Sequence, residues 1–256
     1  LGLRRAGGDT EHLAAAVGID ADRDYRLVFW VAVIPGFLSF ALIVLAVHDP
    51  QPKGDTGVRP PLRFAEMATL PSAFWWVTGL AMIFTLARFS DAFLILRARS
   101  IGLSLLLVPL IMVVMNVAYA LSAYPVGVVS DRFDRRGILA VGLVLLVGAD
   151  LVLVLGLVGS SVGLWIGAVL WGLHMGFTQG LFATLVADTA PANLRGTAFG
   201  LFNLVTGLAL FAASLLAGAL WQMIGPAATF IAGAGFALAA LSGLWLVVPK
   251  TATERS

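Results

Sequence analysis

The sequence predicts an all-α, polytopic membrane protein with about seven transmembrane helices, and three observations carry that prediction. Of 256 residues, 60% are hydrophobic and only 12% charged, well outside the composition of soluble domains. The apolar residues fall in runs of about 20, the length a helix needs to cross a hydrocarbon core. The charges gather between those runs, most densely in Gly127 to Arg136, where Asp131, Arg132, Asp134, Arg135 and Arg136 stand close together. Such a cluster is too costly to place in hydrocarbon, so it marks an aqueous loop at a helix junction.

Taken in order, residues 1–26 hold a single short apolar run, Leu13 to Ile19, flanked by Glu11, His12, Asp20, Asp22, Arg23 and Asp24. That run is too short to span, and the segment reads as the remnant of a preceding helix and loop. The first transmembrane helix occupies 27–48, interrupted by Pro35-Gly36, which membrane helices tolerate when neighbours take up the freed backbone groups. Residues 49–70 form a loop rich in proline, glycine and mixed charge, ending in an apolar pattern (Leu62, Phe64, Met67, Leu70) suited to a short helix on the membrane surface. A six-helix bundle follows at 71–248, with spans at 73–96, 104–128, 138–158, 162–186, 197–220 and 226–248, and then a tail at 249–256. The chain begins at Leu1 without a Met or a signal-peptide pattern, so it is expected to be part of a longer protein.

Loop charge fixes the sides. With the 49–70 loop inside, Lys53, Arg59, Arg63, Arg132, Arg135, Arg136, Arg195, Lys250 and Arg255 are cytoplasmic, and only Arg97 and Arg99 fall outside. That asymmetry follows the preference of short basic loops for the cytoplasm and puts the C-terminal tail there too, in a multi-pass protein of the plasma or inner membrane. The small net charge of +2 and the absence of a basic stripe with interleaved aromatics argue against nucleic acid as a partner. With no cysteine, thiol catalysis and cysteine metal sites are excluded. Neither an enzymatic activity nor a cofactor is expected.

The spacing Gly127, three residues, Asp131-Arg132, two residues, Arg135-Arg136 resembles the loop signature of the major facilitator superfamily of transporters, which joins the second and third helices of each six-helix half. Asp134 stands where the superfamily usually has glycine; aspartate tolerates a left-handed turn, so the turn is expected to survive. A second junction, Asp188, Pro191, Asn193, Arg195-Gly196-Thr197 and Gly200, resembles the fourth-to-fifth or tenth-to-eleventh helix junction of the same family. The resemblance covers 27–248 and implies the C-terminal half of a facilitator: a sixth-type helix, then helices seven to twelve as two inverted three-helix repeats, of a generic bacterial efflux-like kind. It implies transmembrane movement of a small-molecule substrate by alternating access, driven by a proton gradient or by the solute's own gradient, in a lipid bilayer, with an N-terminal six-helix half as the missing partner. The alternative is a truncated membrane protein that packs with a partner half or lipid and moves nothing.

Helices seven and ten of that family face the central cavity, which points to Arg88, Asp91, His174 and Thr178. Arg88 and Asp91, three apart on one helix, are close enough to pair; either the pair neutralises itself or Arg88 meets an anionic or dipolar substrate while Asp91 carries a coupling proton. His174, with Thr178 one turn on, is either a hydrogen-bonded packing residue or a substrate or proton site. Asn116 and Tyr119 share a face of the eighth-type helix, where interhelical hydrogen bonding explains them as well as a cavity does. Gln179 lies off the His174 face and is expected to contact a neighbouring helix, and Asp150 is expected to have a local partner or a proton. Gly127, Asp131, Arg132, Arg135 and Arg136 form a cytoplasmic gating loop in which Asp131 anchors the turn to the start of the fifth-type helix, Leu1 to Thr10. Gly172, Gly176 and Gly180, four apart, are expected to let a neighbouring helix approach, as are Gly196, Gly200 and Gly207 beside Asn203.

The topology is checked by single cysteines. Those at Ser130 and Ala252 are expected to resist an impermeant thiol reagent in intact cells and one at Ser160 to react; labelling of the residue-130 cysteine from outside would invert the assignment.

Overall fold

The computed structural model describes residues 21–46, 67–104, 107–155 and 159–247. The chain divides into two units, residues 1–59 and 60–256. In the first, helix α1 (Ala21–Ala46) is continuous through Pro35 and begins six residues before the apolar run, on the charged segment Asp22-Arg23-Asp24. The expected remnant at 1–20 and most of the 49–70 loop lie outside the described residues.

The second unit is built from α2 (Ser72–Ala87), α3 (Ala92–Ser100), α4 (Val108–Ser130), α5 (Arg135–Leu155), α6 (Gly159–Thr189), α7 (Arg195–Met223) and α8 (Pro226–Val247), with a single 3₁₀ turn at Ala192–Leu194 leading into α7. Taking α2 and α3 together, six stretches are long and apolar enough to cross a membrane, from Ser72–Ser100 to Pro226–Trp245. Their limits lie within a few residues of the expected spans, as they must where unpaired backbone groups would be costly in hydrocarbon.

One expected span is not continuous. α2 stops at Ala87, Arg88 leaves helical geometry (φ −101°, ψ 73°), and α3 starts after Asp91. The sequence there is polar: Ser90 turns its Oγ to accept from the Ala92 amide (3.3 Å), and Ser and Asp compete for backbone groups at helix ends better than they serve a helix interior. α3 then closes on Gly102, at φ +77°, with Leu103 N donating to Ala98 O and Gly102 N to Arg99 O, the paired bonds of a Schellman end.

Packing within the bundle is regular. α6 lies against α4 and α5; α2 lies against α7 and α8; α5 meets α8 and α2 meets α6. Exchanging the triple α2, α4, α5 for the triple α6, α7, α8 turns each of these pairs into another of them or into itself, the relation expected of two structural repeats. α4 and α7 are the outer helices, with most of their surfaces unburied.

Small residues set the closest approaches. A Cβ at Gly172 would lie 2.1 Å from the Met115 carbonyl oxygen, and one at Gly176 2.0 Å from Ser122 Oγ, so α4 packs closely onto α6, against backbone at Gly172 and chiefly against the Ser122 side chain at Gly176. Gly142 brings α5 equally near Thr178 and Phe177. The stripe does not extend to Gly180, and a Cβ at Gly180, Gly196, Gly200 or Gly207 would meet nothing within 4 Å among the described residues, so these four make no close approach there.

Gly172→Ala and Gly176→Ala are expected to lower stability by about 1–3 kcal/mol, since each forces α4 away from α6, whereas Gly180→Ala is expected to be neutral. Unfolding by denaturing detergent in mixed micelles checks this; equal losses at all three would remove the close approach as the cause.

Candidate functional site

A cavity of about 390 Å³ lies between α2, α6 and α7. Its wall is apolar around Phe84, Phe182 and Phe202, with Thr85, Gln179, Asn203 and Thr206 supplying neutral polar groups and Arg88 the one charge in the lining. Phe84 and Phe182 stack with ring centroids 4.9 Å apart. Arg88 enters this cavity because it stands at the break that ends α2. Its terminal nitrogens donate to the Gln179 side-chain oxygen at 3.1 and 3.3 Å, in the amide orientation that satisfies both groups. Gln179 thus contacts a neighbouring helix, as expected.

Arg88 and Asp91 do not form the expected ion pair. Asp91 and Tyr119 act on Arg88 electrostatically, but the ion pair found among the described residues lies elsewhere. The pairing was expected of one continuous helix, and the chain is broken between α2 and α3 at these residues. Asp91 Oδ1 accepts instead from Trp171 Nε1 at 3.0 Å, across to α6. Around it Phe89, in the break, packs against Phe93, Trp171 and Phe230, with centroids 5.1–5.6 Å apart, so the break is enclosed by aromatic rings from three helices, α3, α6 and α8.

His174 is fully buried, against Phe84 (5.5 Å) and Trp171 (6.3 Å). It lies against the backbone of Gly142, yet neither ring nitrogen makes a hydrogen bond of normal geometry. Thr178, equally buried, donates to the His174 carbonyl at 2.9 Å. Asn116 is exposed on α4 and donates to Met112 O at 2.7 Å on its own helix. Of the five residues expected to form the site, Arg88 alone lines the cavity; Asp91 and His174 sit behind it, in the packing that supports the break.

The two charged junctions meet. Arg135, at the start of α5, forms an ion pair with Asp188, near the end of α6, joining the loop signature to the second junction. Asp134 accepts from the Arg136 amide at 3.3 Å and so caps α5, which gives this departure from the family pattern its own structural role. Arg136 is buried, while Asp131 and Arg132 are exposed, and Asp131 joins no ion pair among the described residues. Its expected partner at residues 1–10 lies outside the described residues. Ser130 closes the end of α4 by donating to Gly127 O, and Arg195 and Gly196 open α7 at the surface.

What the sequence reading did not single out for the cavity was Thr85, Asn203, Thr206 and the three phenylalanines. The α7 contribution was present as a pattern, Asn203, Thr206, Gly207 and Leu210, spaced along one helix face.

A bundle of six long apolar stretches in two interchangeable triples, with a basic loop between the second and third, defines a polytopic membrane protein built from two structural repeats. The Major Facilitator Superfamily model matches residues 11–214 and 79–256, and the chain belongs to that family. It is similar to an uncharacterized MFS-type transporter of Methanocaldococcus jannaschii, at 29% identity over 238 residues covering 87% of this chain and 55% of the relative. The chain therefore spans about half the length of the curated relative it matches.

Because neither nitrogen of His174 makes a hydrogen bond of normal geometry among the described residues, His174→Leu is expected to be neutral or to stabilise by up to about 1 kcal/mol, as only the contact with the Gly142 backbone is lost and a buried polar group is removed. Thermal unfolding in detergent measures it; a clear loss of stability would mean that the imidazole is hydrogen-bonded in the membrane.

Proposed function

We propose that this chain forms one half of a solute transporter that works by alternating access, as proton-coupled secondary transport in the outward, efflux direction, with a second six-helix half completing the path. The cavity between α2, α6 and α7 is this half's share of the substrate route, and the observation that carries the reading is Arg88. A guanidinium lining a cavity at membrane depth, hydrogen-bonded to a neutral amide and acted on by the Asp91 carboxylate without an ion pair, is costly unless it serves binding. It supplies a planar set of donors that suits a carboxylate or another anionic or dipolar group, while Phe84, Phe182 and Phe202 receive an apolar body.

The coverage of about half of a transporter relative supports the half-transporter reading. The Arg135–Asp188 ion pair bridges the ends of α5 and α6 at the side assigned to the cytoplasm, where it can restrain the motion of one repeat against the other. Being partly exposed, it contributes well under about 1 kcal/mol to stability, which suits a contact that must break and re-form. The cell membrane is the proposed location, with the C-terminal tail in the cytoplasm.

The chain has no cysteine, so Asn203→Cys places a single thiol in the cavity wall. With the second half co-expressed, benzoate is expected to slow its labelling by a maleimide, benzamide to act weakly, and Arg88→Gln to abolish the benzoate effect. Protection that is equal for benzoate and benzamide, or unchanged in Arg88→Gln, would remove Arg88 from the binding site.

A further inference from the structure

Asp150 takes no part in the cavity just described. It lies on α5, fully buried, and neither carboxylate oxygen has a hydrogen-bond partner among the described residues. The ordinary explanations for a buried acid fail in turn. No ion pair reaches it, for the ion pair among the described residues joins Arg135 and Asp188. Of the helices around it, α8 carries no charged side chain, α6 presents His174, the α2–α3 break presents Arg88 and Asp91, and α4 presents Tyr119 and Tyr124; none of these acts on the Asp150 carboxylate. No group of three metal-ligating side chains exists among the described residues.

What does face Asp150 is the break. A Cβ added at Gly233, on α8, would lie 2.8 Å from Asp150 Oδ2, 3.2 Å from the Ala87 carbonyl oxygen and 2.9 Å from Phe89 Cε1. The carboxyl group and the end of α2 thus converge on the one small gap that a residue without a side chain leaves open. The Ala87 carbonyl accepts no hydrogen bond among the described residues, because the helix that would have supplied its donor ends there. Two oxygens therefore look into the same space, both acceptors if Asp150 is ionised. An O–H on Asp150 changes one of them into a donor, so that a carboxylic acid can satisfy itself and the broken helix end at once.

We propose that Asp150 is a proton-binding site of this protein, carrying its proton as a neutral carboxylic acid that donates to the Ala87 carbonyl at the α2–α3 break. Proton loading is thereby linked to the cavity, because Arg88 follows Ala87 directly and its position in the cavity depends on where α2 ends. With the proton bound, the end of α2 is held; with it lost, two acceptor oxygens oppose one another and the break shifts. This assigns the proton to Asp150 instead of Asp91, whose oxygen is occupied by Trp171. Neither the site nor its detection depends on the substrate reading of Arg88.

The test is infrared spectroscopy of the full chain in lipid nanodiscs, with aspartate carrying a ¹³C-labelled side-chain carboxyl. A protonated-carboxylic-acid carbonyl band that shifts with this label is expected at neutral pH, absent from Asp150→Asn and retained in Asp91→Asn. Absence of the band at neutral pH overturns the proposal, as does its loss in Asp91→Asn; the labelled wild-type chain decides the first point even where a variant fails to fold. The link to the cavity is read from Thr85→Cys, whose maleimide labelling, corrected for the reagent's own pH dependence, is expected to change several-fold between acid and alkaline pH in the parent and not in Asp150→Asn. A corrected rate independent of pH in the parent overturns the link.

Discussion

In hydrocarbon a peptide group has no water to turn to, so each backbone donor and acceptor must be matched within the protein. Among the described residues this chain meets that demand with uninterrupted helices across the membrane except at residues 88–91, and much of the polar chemistry gathers around that exception. Ser90 turns to an amide, Asp91 to an indole on α6, Arg88 to an amide side chain on α6, and Asp150 to a helix end without donors. The aromatic rings of Phe89, Phe93, Trp171 and Phe230 enclose the same point. A gap in one helix has thus organised side chains from three others.

The six long helices were legible in the sequence because length and hydrophobicity are read directly from apolar runs, and the bilayer leaves few other structures possible. The loop signature was legible as charge where charge cannot be buried. The break was not, since Arg88 and Asp91 three residues apart look like an i, i+3 pair on any continuous helix. Nothing local in the sequence announces that Trp171, eighty positions on, will take the carboxylate. Gly172 and Gly176 were read correctly as close approaches, but Gly180 shared their spacing without sharing their surroundings. Periodicity shows which residues occupy one face; it does not show how far along that face the neighbour runs.

Asp134 shows how a departure from a family pattern can serve a purpose that the pattern does not reveal. The sequence suggested that aspartate could adopt the turn that glycine usually makes, and the structure uses its carboxylate as a helix cap. The two charged junctions, read separately, are joined through Arg135 and Asp188. That contact holds together the ends of α5 and α6, which come from different repeats, at the side where both loops emerge.

The two repeats differ in stiffness. α6 runs 31 residues without interruption, while its counterpart in the other triple is divided between α2 and α3. A helix resists bending through its ladder of i to i−4 bonds, and a ladder with rungs missing bends at the gap. The bundle is therefore rigid along one of its central members and articulated along the other, and any flexure imposed on it concentrates within a few residues of Arg88. Two repeats sharing one packing plan have divided the mechanical work between a strut and a joint.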